Sequence, residues 1–360
     1  MDNSEIEFFK RLSDAFGPSG FEREPLKLLK DYISPFADKI ETDKLGSLLY
    51  TIKGDSNYPR IAIPGHIDEI GFITTEFTDA FIRFHNLGGW LDQTILGQRV
   101  IIRANTGDYI GVIAAIPPHL VRPEERKKIV SMHEMFIDIG CQTKEELEKT
   151  GIKIGDPIAP ISPFTLLHEK RIAMGKAFDD RIGAFVVALT CKKIKNEKIS
   201  HPNTVIGAAT TQEEVGARGA RTMSHVSDPD IALICETSIS GDVPGSKAGP
   251  APSQMGKGVA IYTYDRSMIP NPALKEFVIK TAKECKIAHQ LSFTATGGTD
   301  GGAIHLSRKG IPAIVLGVPT RHIHSLCSIF ALRDFDAAVQ LIIELIRRLD
   351  KQTVKNFTEY

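Results

Sequence analysis

The sequence predicts an α/β fold that is interrupted by a β-rich segment. Apolar residues recur at helical spacing in five stretches, which cover residues 4–16, 25–36, 180–197, 272–286 and 334–349. From about residue 69 to residue 171 the pattern changes to short β-type runs between glycine and proline turns, such as 71–75, 97–102 and 109–115. We therefore expect a discontinuous α/β domain of residues 1–68 and 172–360, with a β-barrel-like domain of residues 69–171 inserted into it.

Length and composition agree with two domains and exclude several classes of function. The chain has 360 residues, of which 42% are apolar, and this exceeds what one hydrophobic core usually supports. Lys plus Arg equal Asp plus Glu, at 44 each, so we expect neither a nucleic-acid partner nor a membrane surface. The first residues do not resemble an export leader, and the five cysteines lack C-x-x-C spacing. A cytoplasmic protein without disulfides is expected.

Four predicted strands end next to side chains that can bind metal ions. The strands are predicted at residues 60–64, 204–210, 231–235 and 313–318. The polar residues that follow them, in the same order, are His66 with Asp68, Glu213 with Glu214, Glu236, and the pair His322 and His324. In open α/β sheets, ligand sites form beyond the carboxyl ends of the strands. The four strands therefore direct these residues to one place.

The residue types at these strand ends suit a pair of divalent metal ions. The candidate ligands are His66, Asp179, Glu214, Glu236 and His324. Two ions about 3.5 to 4 Å apart can share a bridging carboxylate and lower the pKa of a bridging water towards neutrality. Histidine and carboxylate ligands suit zinc, cobalt or manganese. Three carboxylates against two dications leave one positive charge, which a hydroxide neutralises.

Each candidate also has an ordinary interpretation when it is taken alone. A histidine after a strand, such as His66, is more often a turn or packing residue. Glu213 and Glu214 would usually form a solvated surface pair, and Asp179 with Asp180 would usually cap the helix that follows. Strand alternation does not decide between His322 and His324. It is the ordered set of residues that favours a metal site.

Four segments of the chain form an ordered set of motifs. They read G-H-I-D-E-I-G (65–71), G-K-A-F-D-D-R-I-G (175–183), T-T-Q-E-E-V-G (210–216) and P-T-R-H-I-H-S (319–325). The set resembles the TET-type aminopeptidases, dinuclear metallopeptidases that are related to glutamyl aminopeptidases and are often labelled endoglucanase M. The resemblance implies a mixed-sheet, phosphorylase/hydrolase-like metallopeptidase domain. It also implies an inserted barrel that drives dimerisation, and dimers that assemble into a dodecamer.

The resemblance gives each metal-type residue a role. It implies that His66 binds one ion, that His324 rather than His322 binds the other, and that Asp179 bridges the two ions. A cis peptide bond is expected before the next residue, Asp180. Where the family commonly has Asp, this chain has Glu236, whose side chain is longer by one methylene. Glutamate also binds zinc, so we expect the site to be retained.

The remaining roles concern catalysis. The resemblance implies that Glu214 is a ligand, that Glu213 is the general base, and that Asp68 orients His66. The expected reaction is hydrolysis of the peptide bond at a free amino terminus, with two zinc or cobalt ions per subunit. In the family the G-G-T-D segment lines the substrate cleft, which makes Thr299 and Asp300 candidate substrate-binding residues. His119 lies in a loop that resembles one near the entrance to the active site, and is a further candidate.

Three other classes of function were weighed against a metallo-aminopeptidase. A dinuclear deacylase of N-acyl amino acids would use the same metals and base, and only the substrate pocket would distinguish it. A glycoside hydrolase needs two carboxyl groups about 5 to 9.5 Å apart across a sugar and no metal, which adjacent Glu213 and Glu214 do not suit. A non-catalytic binding protein has no need of a general base. The preferred amino-terminal residue is left open by the sequence.

Overall fold

A computed structural model of the chain describes residues 1–124, 126–246 and 252–359. The α-helices are α1 (Asn3–Asp14), α2 (Arg23–Ile33), α3 (Asp92–Ile95), α4 (Lys144–Thr150), α5 (Phe178–Asn196), α6 (Arg218–Ser227), α7 (Pro272–Glu284), α8 (Asp300–Ile304), α9 (Leu332–Arg348) and α10 (Lys351–Asn356). The strands are β1 (Lys39–Thr42), β2 (Leu48–Lys53), β3 (Arg60–His66), β4 (Gly71–Thr78), β5 (Phe81–Leu87), β6 (Arg99–Ala104), β7 (Gly107–Ala114), β8 (Phe136–Asp138), β9 (Pro157–Pro160), β10 (Thr165–Leu167), β11 (Ile172–Gly175), β12 (Thr204–Thr210), β13 (Ile231–Ile239), β14 (Val259–Tyr264), β15 (His289–Phe293), β16 (Ala313–Arg321) and β17 (Ser328–Ala331).

Eleven strands form a mixed sheet in the order β1-β2-β12-β3-β13-β16-β17-β11-β10, with β14 and β15 joined at β16. The central strands β12, β3, β13 and β16 are parallel to one another. Successive residues of β3 point to opposite faces, so Ile61 and Ile63 enter one apolar core and Ala62 enters a second. Burial on both faces explains why these strands are continuous apolar runs in the sequence.

The β-rich segment forms a separate closed barrel. Six strands pair in the order β4-β5-β8-β7-β6-β9 and return to β4. The barrel has its own apolar core, in which Phe72, Val100 and Ile158 are buried. The prediction of an α/β fold with a mixed sheet and a barrel in the middle of the chain is confirmed. The division into domains at residues 69 and 171 stays a prediction, and β10, which lies before residue 172, pairs with β11 in the main sheet.

The main difference from the predicted elements concerns the length of the central strands. β3 continues through Pro64 to His66, because it pairs with β12 as far as the Thr210–His66 register. β13 and β16 run on to Ile239 and Arg321, because each residue from Ala232 to Ile239 has a partner in β16. His66 and Glu236 therefore lie within strands, whereas the other candidate residues of these strand ends lie in the loops that follow them.

Other expectations are met in part. The predicted helices are all present with bounds that differ by at most three residues, and α1 is capped by Asp2 in a capping box with Glu5. The five cysteines are free. Among the described helices, none combines the length and apolar character needed to cross a membrane.

The first helix is tied to the sheet by an aromatic cluster. Phe9 is fully buried and lies with ring centroids 5.6 Å from Phe178 and 5.7 Å from Phe185, at the start and middle of α5. It also meets the ring of Phe330 in β17 edge-on at 5.7 Å. Aromatic pairs at these distances add to the free energy of burial. The cluster holds α5, whose first turn carries Asp179, against the sheet.

We expect Phe9→Ala to lower the free energy of unfolding by about 3 to 5 kcal/mol, because it opens a cavity in this cluster. Urea denaturation followed by circular dichroism measures the shift. Phe21→Ala is the matched control, since Phe21 is 36% exposed and its truncation should change stability by about 0.5 kcal/mol or less. Equal shifts for the two variants would show that the cluster does not hold the fold together.

Candidate metal centre

The candidate site lies at the carboxyl ends of the parallel strands. His66 is the last residue of β3 and is level with Thr210, the last residue of β12. Glu236 lies inside β13 opposite Gly317 of β16, and His324 follows the end of β16 by three residues. The convergence predicted from the sequence is therefore found in the structure. It lies at the carboxyl ends of the central strands, where α/β enzymes bind their ligands.

Asp179 lies between the two histidines. Its Oδ1 is 3.1 Å from Nε2 of His66, and its Oδ2 is 3.4 Å from Nε2 of His324. Two groups of three candidate ligand atoms result, each within 4.8 Å of one another: His66, Asp179 and Glu236 in one, and Asp179, Glu214 and His324 in the other. A carboxylate shared by two donor groups is the arrangement that a bridging ligand requires.

Asp68 binds the backbone of the Glu213–Glu214 pair. Its Oδ1 accepts the backbone N–H of Glu213 at 3.0 Å, and its Oδ2 accepts that of Glu214 at 3.1 Å. The same carboxylate lies 3.3 Å from Nδ1 of His66 and accepts the hydroxyl of Ser19 at 2.6 Å. Asp68 is fully buried. One carboxylate thus fixes the backbone of two glutamates and lies next to the ring of a histidine.

Asp180 connects the first turn of α5 to β3. Its Oδ2 accepts the backbone N–H of His66 at 3.2 Å, and its Oδ1 accepts that of Gly183 at 2.9 Å. The peptide bond between Asp179 and Asp180 is cis, as the resemblance implied. The backbone of both residues departs from helical angles. The side chain of Asp179 consequently leaves the helix direction and faces the histidines.

A buried charge network lies beside Asp68. Glu69 accepts hydrogen bonds from Lys176 at 2.6 Å and from Arg181 at 3.0 Å, and all three residues are more than nine-tenths buried. Arg181 also donates to the carbonyl oxygens of Leu12, in the last turn of α1, and Ala15, directly after it. Burial lowers the pKa of Lys176 to about 8. Sequence reasoning missed this network, because nothing in the spacing shows which charged residues pair in the interior.

The site has more buried carboxylates than positive charges. Burial raises the pKa of Glu213 and Glu236 well above the ordinary value and that of Glu214 to about 8. Burial opposes charge on His324 as well, but Asp179 and Glu214 outweigh it and raise its pKa to about 10. Carboxylates without compensating charge are costly to bury. Divalent cations would compensate them.

The donor set itself fits such cations. Glu214 Oε1 is buried and makes no hydrogen bond to any described residue. Two imidazole nitrogens and three carboxylates form a set of oxygen and nitrogen donors, which suits zinc or cobalt, and no sulfur atom belongs to either donor group. The longer side chain of Glu236 still brings Oε1 to 3.8 Å from Nε2 of His66.

A cavity adjoins the donor groups and shows where the candidate substrate residues lie. Its lining includes Glu213 and Thr299, whereas Asp300 lies outside the lining, is 1% exposed, and accepts the hydroxyl of Thr210. His119 lies in an exposed turn after β7 and is also not part of the lining. His322 is exposed, and neither donor group includes it.

Part of the remaining cavity wall comes from the predicted segments, namely Gly297 and Gly298 of the G-G-T-D segment and Ile323 of the last motif. The other wall residues were not predicted from the sequence, and they are Thr237, Ile239, Tyr262, Asp265 and Thr294. Asp265 is the acidic residue of this set. Its carboxylate accepts hydrogen bonds from the hydroxyls of Ser267 and Thr299, so both of its oxygens have partners inside the protein. The residues of this remaining wall come from four separate segments, and no local pattern in the sequence joins them.

The mixed sheet, with histidines and carboxylates gathered around a shared aspartate at its edge, defines an α/β enzyme of the metal-dependent hydrolase class. The chain belongs to the M42 glutamyl aminopeptidase family, whose sequence pattern matches residues 46–341. Membership of this family makes the protein a metallopeptidase.

Relatives and solved structures agree with the family. The chain is 31% identical to the glutamyl aminopeptidase of Lactococcus lactis subsp. cremoris, over 98% of each chain. It superimposes with a TM-score of 0.97 on the TET aminopeptidase from the marine sediment archaeon Thaumarchaeota archaeon SCGC AB-539-E09, with 53% identity and 99% of each chain covered. The TET1 peptidase of Pyrococcus horikoshii gives a TM-score of 0.84 at 30% identity, over 96% of this chain and 100% of that one. That peptidase can assemble into a tetrahedron or a large octahedral shell.

Proposed function

We propose that this peptidase holds two divalent metal ions, zinc or cobalt, and uses Glu213 as general base to release the first residue of peptides with a free amino terminus. One observation carries the proposal. The two carboxylate oxygens of Asp179 face different histidines, at 3.1 and 3.4 Å. A carboxylate that faces two donor groups in this way suits a bridge between two ions.

Each ion would have one histidine, one terminal carboxylate and the shared aspartate. His66 and Glu236 would hold the first ion with Asp179, and Glu214 and His324 would hold the second. When bound, such ions polarise the carbonyl of the scissile bond and make a water molecule acidic near neutral pH. The family commonly has Asp where this chain has Glu236, and a glutamate oxygen within 3.8 Å of His66 can serve the same purpose.

Glu213 is the candidate general base because of where its neighbours hold it. Its Oε2 lies 3.9 Å from Nε2 of His66, close to the first donor group but not part of it. Its backbone N–H is fixed by Asp68, so the side chain extends into the cavity from a rigid point. A base in this position takes a proton from the attacking water and passes it to the leaving amine. Asp68 acts indirectly, by orienting His66 and the backbone of Glu213.

The cavity indicates how a peptide would bind. The scissile carbonyl of a peptide would lie at the donor groups, and the side chain of its first residue would extend towards Ile239, Ile323 and Thr299, which line the same cavity. Thr299 is therefore the candidate substrate contact with the most direct support. Asp300 would act indirectly, through its hydrogen bond with Thr210, and His119 does not line this cavity.

We also propose that the barrel joins copies of this chain, first as dimers and then as a dodecamer. The outer side of β7 carries Ile110 and Val112, which are 56% and 37% exposed, and Ile116 and Leu120 follow at 65% and 76%. Apolar side chains that are exposed together mark interaction surfaces. The assemblies of the Pyrococcus horikoshii relative support a second copy as the partner.

Free cysteines agree with a reducing compartment such as the cytoplasm.

The reaction is tested with a panel of aminoacyl p-nitroanilides, each with and without an N-acetyl group. We expect cleavage of the unblocked substrates only, loss of activity after chelation, and recovery on addition of zinc or cobalt. Cleavage confined to the blocked substrates would favour the deacylase. Activity that is insensitive to chelation on either set would contradict the role of the metal ions.

Glu213→Gln should separate catalysis from metal binding. The amide keeps the shape of the side chain but cannot take a proton, so kcat should fall by about 10² to 10⁴-fold. Metal content, measured by inductively coupled plasma mass spectrometry, should remain two ions per chain. Asp179→Ala is the comparison, because it removes the shared ligand and should lower metal content as well as kcat. Near wild-type turnover by Glu213→Gln would rule out Glu213 as the base.

The assembly is tested by changing the outer side of β7. Ile110→Lys combined with Val112→Lys should lower the mass measured by size-exclusion chromatography with light scattering, towards the 39.6 kDa of one chain. Charge at an apolar interface is costly to desolvate. Ile154→Lys is the control, since Ile154 is 66% exposed in a turn elsewhere on the barrel segment. An unchanged mass for the double variant would place the interface elsewhere.

A further inference from the structure

We infer that Gly88 and Gly89, in the segment between β5 and α3, position the second donor group of the metal centre. The barrel segment of the chain would then take part in building the site, although the candidate ligands all come from the main sheet, the loops that follow its strands, and α5. This inference rests on the proposed binding of two ions. It concerns the ion that Asp179, Glu214 and His324 would hold.

The first contact is with His324. Nδ1 of His324 donates to the carbonyl oxygen of Gly89 at 2.8 Å, which turns Nε2 towards Asp179 and Glu214, 3.4 and 3.6 Å away. The side chain of His324 is 42% exposed, so little packing fixes its ring. A histidine that donates from one ring nitrogen presents the other as a metal ligand in a fixed tautomer and orientation. The Gly89 carbonyl supplies that hydrogen bond.

The segment also passes close to two ligands of the second donor group at its two glycines. A Cβ atom on Gly89 would lie 3.0 Å from Nδ1 of His324. Gly88 has φ +82°, which other residues rarely adopt, and a Cβ there would lie 2.5 Å from Cγ2 of Ile70 and 3.1 Å from Oε2 of Glu214. A side chain at Gly88 would overlap Ile70, and one at Gly89 would force the ring of His324 to shift by a few tenths of an ångström.

The segment is anchored in the barrel on both sides of the glycines. Asn86 Nδ2 donates to the carbonyl oxygen of Gly88 at 2.6 Å. Trp90 Nε1 donates to the carbonyl oxygen of Gly71 at 3.2 Å, and its ring stacks on Phe72 with centroids 4.9 Å apart. Phe72 belongs to the barrel core. The position of the Gly89 carbonyl is therefore set by the barrel.

The first donor group has a different support. His66 is 2% exposed, and its Nδ1 lies 3.3 Å from Asp68, which is itself held by Ser19 and by the backbone of Glu213. None of these residues belongs to the barrel strands. A disturbance of the Gly88–Trp90 segment should consequently lower the metal affinity of the second donor group and leave the affinity of the first unchanged.

The test is zinc titration of the metal-free protein by isothermal calorimetry. We expect Gly89→Ala and Trp90→Ala to weaken one of the two binding events about 10- to 100-fold, the usual effect of losing an orienting partner, and to leave the other unchanged. Trp90→Phe keeps the ring stacking and should lie between Trp90→Ala and the wild type. Leu96→Ala is the matched control, because Leu96 is 40% exposed and belongs to the same barrel segment.

Each outcome separates this inference from the proposed function. Two unchanged binding events in both Gly89→Ala and Trp90→Ala would overturn the positioning role, as would an equal weakening of both events. Wild-type protein that takes up a single ion would instead overturn the two-ion proposal, and this inference with it. Circular dichroism of each variant distinguishes loss of fold from a local change, and Trp90→Phe carries the test if either alanine variant does not fold.

Discussion

The shared carboxylate of Asp179 is the constraint on which the rest of the site depends. Its two oxygens are directed at His66 and His324, so any change in its direction disturbs both donor groups at once. The direction is set by the non-helical start of α5 and by Asp180, which binds the backbone of His66. Around this aspartate the protein buries more carboxylates than it neutralises. Such a cluster is stable only with a cationic partner or with protons retained.

The support of the site comes from unusually distant parts of the chain. Arg181 of α5 binds the end of α1, and Glu69, three residues after β3, binds the same arginine. Removing one partner of a buried ion pair leaves an uncompensated charge, which costs about 3 to 5 kcal/mol. The network therefore fixes three segments at the point where the donor residues leave the sheet. His324 differs, because its orientation depends on a carbonyl from the barrel segment.

The sequence predicted the fold class and the convergence of the candidate residues because both follow from local patterns. Apolar runs that end in polar residues mark the carboxyl ends of parallel strands, so the pattern alone predicts that Glu214 and Glu236 lie near each other. The ends of the strands are harder to predict from the sequence. β13 and β16 continue to pair with each other beyond their apolar runs, and the pairing lengthens both strands.

Contacts between distant segments could not be predicted in the same way. Ser19 reaches Asp68, and Gly89 reaches His324 across 235 positions of the chain. Neither has a periodicity or a spacing that points to its partner. The resemblance implies that the G-G-T-D segment lines the cleft, but its two polar residues have different surroundings. Thr299 lines the cavity, whereas Asp300 accepts a hydrogen bond from Thr210.

Anomalous diffraction from zinc-loaded crystals would test the central claim most directly. We predict two peaks about 3.5 to 4 Å apart, one on each side of Asp179, with His66 and Glu236 at the first and Glu214 and His324 at the second. A single peak, or a second peak that Asp179 does not contact, would contradict the account of this carboxylate as the bridge on which the site is built.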